Sequence, residues 1–325
     1  MSFLSLRTAL STIGEPKGSV VSVPSDFKST PGKSLKDIAN AMMLLPRPEQ
    51  WVQANESHKN EHWTEEVQGV TWDGSHFYFS ANDAGKPGSP KRTIYRFVGN
   101  GDVETVLEMD EQYGKHLGAL DFFGGKLFCA MEGPVGVLVV DPQSGSAVRH
   151  SLKNKDGGPP PQKSMPWCAV NPWNKLLYSS ENGDDAPTPT IHAYDPTNGF
   201  RNVPTAQIEL APHPARHVQG GCFSAHGHLY LATDQRDPNA PEYKLLRAYS
   251  AFNGYFLGAA RVLALEDDQE LEDCCYAPMT INDAAVQIHV VLLENETWDP
   301  SPGGPVPDMD NIFFKHFSAP TPSAV

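Results

Sequence analysis

Short runs of apolar and β-branched residues, each about five to eight long and separated by polar turns, recur along the chain from residue 62 to the end. The stretch His217 to Gly254 shows the pattern most clearly. It reads HVQGGCF, the turn SAHGH, LYLATD, a Pro-containing polar loop, KLLRAYS, the turn AFNG and then YFLGAARVLAL. Aromatic and β-branched residues at every second position suit a pleated surface, so the four runs predict four antiparallel strands in up-and-down order. One such sheet cannot bury both faces alone and needs neighbours of the same kind.

The neighbours are in the sequence. Taking the small residue of each first strand as a marker, Gly69, Gly118, Cys168, Gly220 and Cys274 stand 49, 50, 52 and 54 residues apart. EVQGVTWDGSHFYFSAND answers HVQGGCFSAHGHLYLATD, and the third-to-fourth turns read GNG, DPQSG, DPTNG and AFNG. A four-strand unit of about fifty residues is the signature of a propeller blade. Dense Gly and Pro with period-2 runs exclude a helical solenoid of similar period. The expected fold is all-β: a single-domain five-bladed β-propeller over 62–325, with a six-bladed ring as the alternative.

The fifth repeat supplies LEDCCYAPM, VQIHVVLLEN and NIFFKHF, and no fourth strand follows. A ring that must close needs an outer strand from elsewhere, and GSVVSV predicts one at Ser19 to Val23, within the N-terminal segment 1–61. In the same segment, Ser34 to Asp37 caps a helix over Leu35 to Leu45, which Pro46 ends. Its route from blade five to blade one carries it over the upper face as a lid.

If strand one of each blade starts at the upper mouth, the short turns lie underneath and the long connections on top, where binding and catalysis usually sit. Aligned at the mouth by the repeat are Glu66 and Gln68, His116, Trp167, His217 and Gln219, and Glu272 and Asp273. The second strands end on the same face at Asn82, Glu132, Glu181-Asn182, Asp234 and Glu294. Histidine as a residue type titrates near neutrality, which singles out His116 and His217, and Glu66, Glu132 or Asp234 would orient them for proton transfer. Trp63 and Trp167 would stack on a flat substrate, with Gln68, Glu181, Gln219 and Asp273 holding its polar groups. Asp and Asn at strand ends also serve as plain loop caps, a structural role open to each of these groups singly.

Composition narrows the field. A formal net charge of −14 argues against nucleic acid and anionic membranes as partners, leaving a small-molecule substrate. The five cysteines show no metal or CxxC spacing and read as reduced, buried thiols of a cytoplasmic protein, or a secreted one if a signal was removed. The oligomeric state has no signature. No nucleophile elbow, phosphate loop, dinucleotide fingerprint or HExxH is present.

EVQGVTWDGSHFYFSAND followed by TIYRFVGNGDVETV resembles one or two blades of the SMP-30/gluconolactonase and related six-bladed propellers. That resemblance implies a Glu at the mouth helping to bind a divalent metal such as calcium, a position that Glu66 would match. This chain has five copies and Glu-Val-Gln-Gly where that family has six and Glu-Gly-Pro. The residues themselves favour a non-redox enzyme without a cofactor, promoting addition, elimination or cyclisation by positioning and proton transfer. A metal-dependent lactonase or glycosidase and a non-catalytic carbohydrate-binding propeller are the alternatives.

Overall fold

In a computed structural model, the structure describes residues 52–59, 66–83, 91–99, 102–109, 113–114, 116–183, 186–225, 227–234, 244–262, 269–281, 284–294 and 312–318. These residues build five antiparallel sheets. From inside outwards, the first sheet is Val67–Trp72, Phe77–Asp83, Lys91–Gly99 and Asp102–Met109. The second is His116–Phe123, Lys126–Glu132, Gly136–Val140 and Ala147–Ser151. The third starts with Ala169–Val170, Leu177–Ser179 and Thr190–Asp195; the last of these carries both Arg201–Asn202 and Ile208–Glu209. The fourth is Val218–Phe223, His228–Thr233, Leu245–Ser250 and Phe256–Arg261.

Along the inner strands successive residues point to opposite faces, and each face packs against a different sheet. Cys274 joins Cys222, Tyr230 and Leu246 between sheets four and five, while its neighbour Cys275 joins Val70, Phe79 and Val291 between sheets five and one. Further clusters fill the spaces between sheets one and two, two and three, and three and four. The inner strands touch in the same cyclic order, so the arrangement is a β-propeller. All five cysteines are buried and free.

The repeated small residue follows from how closely the inner strands approach. A Cβ on Gly69 would stand 2.6 Å from the Ala119 Cα, and one on Gly118 would overlap the carbonyl oxygen of Pro166, which accepts the Ala119 N–H at 2.8 Å. Gly220 makes room for Asp273 of the next inner strand in the same way. The marker is therefore an imprint of sheet-to-sheet contact.

The fifth sheet holds Gln269–Ile281, Ala284–Glu294 and Ile312–Ser318, and its outer strand is Val52–Lys59, antiparallel to Ile312–Ser318. The outer position expected for Ser19 to Val23 is thus taken by a later segment, and Ser19 to Val23 itself lies outside the described residues, as do the helix Leu35 to Leu45 and Trp63. An edge strand needs only its backbone groups for pairing, so the polar VQANESHK fits there despite lacking an apolar alternation. Among the described residues no helix is long and apolar enough to cross a membrane.

Candidate active site

Three inner strands carry an extra residue near their N-terminal ends. The pairing skips Gln68 between Val67 and Gly69, Gln219 between Val218 and Gly220, and Glu272 between Leu271 and Asp273. A bulge of this kind frees one side chain from the alternation and re-aims it. In sheet two the extra residue falls within Gly118 and Ala119, directly after His116 and Leu117.

The bulged Gln68 reaches the next sheet. Its Nε2 donates to the Val67 carbonyl at 3.3 Å, which turns Oε1 towards His116, whose Nε2–H donates to it at 2.8 Å. This fixes the tautomer that leaves the lone pair on Nδ1. The Asn82 amide stands 3.3 Å from both ring nitrogens. It also donates to the Leu117 carbonyl and accepts the Leu117 N–H, both at 2.9 Å, so one side chain pins the strand that starts at His116. Burial, and then the Arg92 guanidinium, holds the imidazole below the ordinary histidine value. Glu132 lies directly opposite His116 in the pairing of the sheet. The result is a neutral, half-buried imidazole with a defined basic nitrogen.

Other residues singled out in the sequence have different surroundings. His217 immediately precedes the inner strand of sheet four in left-handed backbone, φ 49°, with its carbonyl accepting the Asp234 N–H. The bulged Gln219 accepts from Asn182 Nδ2 at 2.8 Å. Asp234 is 5 % exposed; it pairs with buried Lys244 at 2.8 Å and accepts the Leu271 N–H of the next sheet at 2.8 Å. Glu181 accepts the Lys163 N–H at 2.6 Å and ties down the loop before strand one of sheet three. Trp167 is fully buried, its Nε1 donates to Ser180 Oγ, and it packs on Gly221. Glu66 is half-buried and its carbonyl accepts the Asn82 N–H at 2.7 Å. The recurring polar residue after strand two therefore bonds the following sheet in at least Asn82 and Asp234.

Two carboxyls on inner strands form a second feature. Asp121 accepts the Val170 N–H at 2.7 Å and the Thr71 hydroxyl at 3.4 Å, from the sheets on either side. Asp273 accepts the Val70 N–H at 3.0 Å across the junction of sheets five and one. Burial pushes Asp121 up to about 6 and Asp273 well above the usual carboxylate range, against the pull of the backbone amides. The internal repeat points to Asp273 but not to Asp121, although a charge inside the apolar run GALDFF is a visible anomaly.

These shifts make stability pH-dependent. With a folded value above the unfolded one, Asp121 binds more protons in the native state between about pH 4 and 6, so stability falls as pH rises through that window, by roughly 3 kcal/mol for this group. Urea melts at about pH 5 and about pH 7.5 should show the wild type losing stability at the higher value and Asp121→Asn losing much less. Equal losses in the two proteins would assign the pH dependence to other groups.

No protein-family model matches this chain, and no curated protein matches it. Among solved structures the chain is similar to the glutaminyl cyclase of Myxococcus xanthus, at 10% identity and TM-score 0.51, over 85% of this chain and 99% of that one. A GH43_1 enzyme from Xanthomonas citri is similar at 14% identity and TM-score 0.49, over 81% and 91% of the two chains. The first likeness spans nearly the whole of the cyclase and shows a shared fold.

Proposed function

We propose that the five sheets are the blades of one ring and that the chain is an enzyme acting on a small organic molecule at the upper mouth. The reaction is non-redox: addition, elimination or cyclisation, driven by positioning and proton transfer. The observation that carries this reading is His116, neutral, half-buried and held in one tautomer by Gln68 of the neighbouring sheet. A base needs an unprotonated nitrogen at working pH and a fixed direction; Nδ1 has both, its lone pair facing the Asn82 amide nitrogen at 3.3 Å in the resting site. Glu132, opposite His116 in the pairing, supplies the carboxyl beside it. His217 and Gln219 line the far side of the same mouth.

A three-armed turnover assay tests the reaction class. The substrates are an N-terminal glutaminyl peptide, which cyclises with loss of ammonia, a five-membered lactone and an aryl xyloside, each with and without a chelator. Turnover of the peptide, unaffected by chelation, is the expected result. Hydrolysis of the lactone or glycoside that chelation stops would replace this reading with a metal-dependent hydrolase.

A further inference from the structure

Two thiols face each other across the junction of sheets four and five. Gly220 and Cys222 stand two residues apart on one inner strand and so share a face. That face meets sheet five closely, since a Cβ on Gly220 would stand 2.5 Å from the Asp273 Cα. Cys274 follows Asp273 and turns into the same seam, where its Sγ stands 3.8 Å from the Sγ of Cys222. Cys168 holds the same marker position in sheet three and gives the contrast. Its thiol donates to the Phe128 carbonyl at 3.3 Å, whereas the Cys274 thiol is 4.0 Å from the corresponding carbonyl, that of Tyr230. Cys275 points the other way, into the junction of sheets five and one.

We propose that Cys222 and Cys274 are the two halves of a disulfide that bolts sheet four to sheet five under oxidising conditions. Both are thiols in this structure. A disulfide holds its sulfurs about 2.05 Å apart, so the pair has to close by about 1.8 Å between strands already in contact. Glutathione disulfide serves as the oxidant. One cysteine thiolate attacks a glutathione sulfur and releases the first glutathione, leaving a mixed disulfide; the second thiolate attacks the cysteine sulfur of that bond and releases the other glutathione. The two cysteine protons end on the two glutathione thiols, and two electrons reduce the oxidant. Tyr230, Leu246 and Leu271 pack the seam, so its closure expels a glutathionyl group and drives the second step. Cys222 and Cys274 are 4 % and 1 % exposed, so the first attack needs a local opening of the junction and is slow, and the same burial shields the finished bond from reductants. The bond restrains the unfolded chain by closing the loop from Cys222 to Cys274, which raises stability. It is independent of the chemistry at the mouth.

Full-length protein is held in glutathione buffers of rising oxidised fraction, then unfolded and alkylated, and its free thiols are counted by mass spectrometry. Two of the five thiols should disappear together, and faster in urea below the unfolding transition, where the junction opens more often. Peptide mapping should find Cys222 joined to Cys274. The oxidised protein should melt higher by on the order of 5 °C or more, and dithiothreitol should return it to the reduced value. Cys168→Ala and Cys275→Ala should keep both the bond and the shift. Cys222→Ala and Cys274→Ala should lose both, each compared with its own reduced form so that a packing defect does not imitate the result. Survival of all five thiols, an end state with glutathione on one cysteine, a bridge to Cys275 in place of Cys274, or a melting temperature that fails to rise on oxidation would each overturn the proposal.

Discussion

Replacing His116 by glutamine should lower turnover by roughly two to four orders of magnitude, the usual worth of a general base. Melting should change little, because the ring is half-buried and its hydrogen bond to Gln68 is worth about 1 kcal/mol. The pH profile distinguishes this from a packing role. Burial and Arg92 lower the imidazole's folded value, so the basic form survives below the ordinary histidine range and activity is lost only as pH falls through that lowered value. That acid limb should vanish from the residual activity of His116→Gln. Gln68→Leu, which removes the acceptor that fixes the tautomer, should lower kcat and shift the limb without abolishing it. In the proposed arrangement of two imidazoles at one mouth, His217→Ala brings a comparable loss; normal turnover there would reduce the machinery to His116. Normal turnover in His116→Gln ends the proposal that this residue does the chemistry.

The parts of the site that the sequence made legible are those set by strand order. The repeat placed Gln68, His116 and Glu132 at one end of their strands; antiparallel pairing then sets Glu132 opposite His116, and the packing of sheet one on sheet two brings Gln68 to it. The bulges were not legible, because one extra residue leaves a strand's composition unchanged and shows only in the register. Without them the contacts that Gln68 and Gln219 make with adjacent sheets cannot be read. The row of Asn, Glu and Asp after each second strand was legible as a pattern but ambiguous in meaning. For Asn82 and Asp234 the structure resolves it as bonding to backbone groups of the next sheet, which is what short polar side chains at strand ends do best. Trp167 illustrates a third case. Its place at the head of an inner strand suggested a stacking surface, but the absent side chain of Gly221 lets the indole sink fully into the core between sheets three and four.

The fifth sheet yields the other large effect, because its outer strand is the polar run Val52–Lys59. GSVVSV has the stronger β-propensity, yet propensity matters least where a strand is held by one row of backbone hydrogen bonds. With Val52–Lys59 in that role, deleting residues 1–25 should leave the melting temperature nearly unchanged, while deleting residues 1–60 should lower it by on the order of 10 °C or render the protein insoluble. The magnitude follows from the pairing from Val52↔Ser318 to Lys59↔Ile312, with about 1 kcal/mol for each backbone bond lost. The bared edge of Ile312–Ser318 then becomes a template for other strands, which is why aggregation is the alternative outcome. A synthetic peptide spanning residues 50–61, added to the shorter protein, should restore part of the lost stability by adding a strand to that edge. If the 1–60 deletion melts with the full-length chain, or if the 1–25 deletion is the damaging one, the closing contact lies elsewhere in the N-terminal segment.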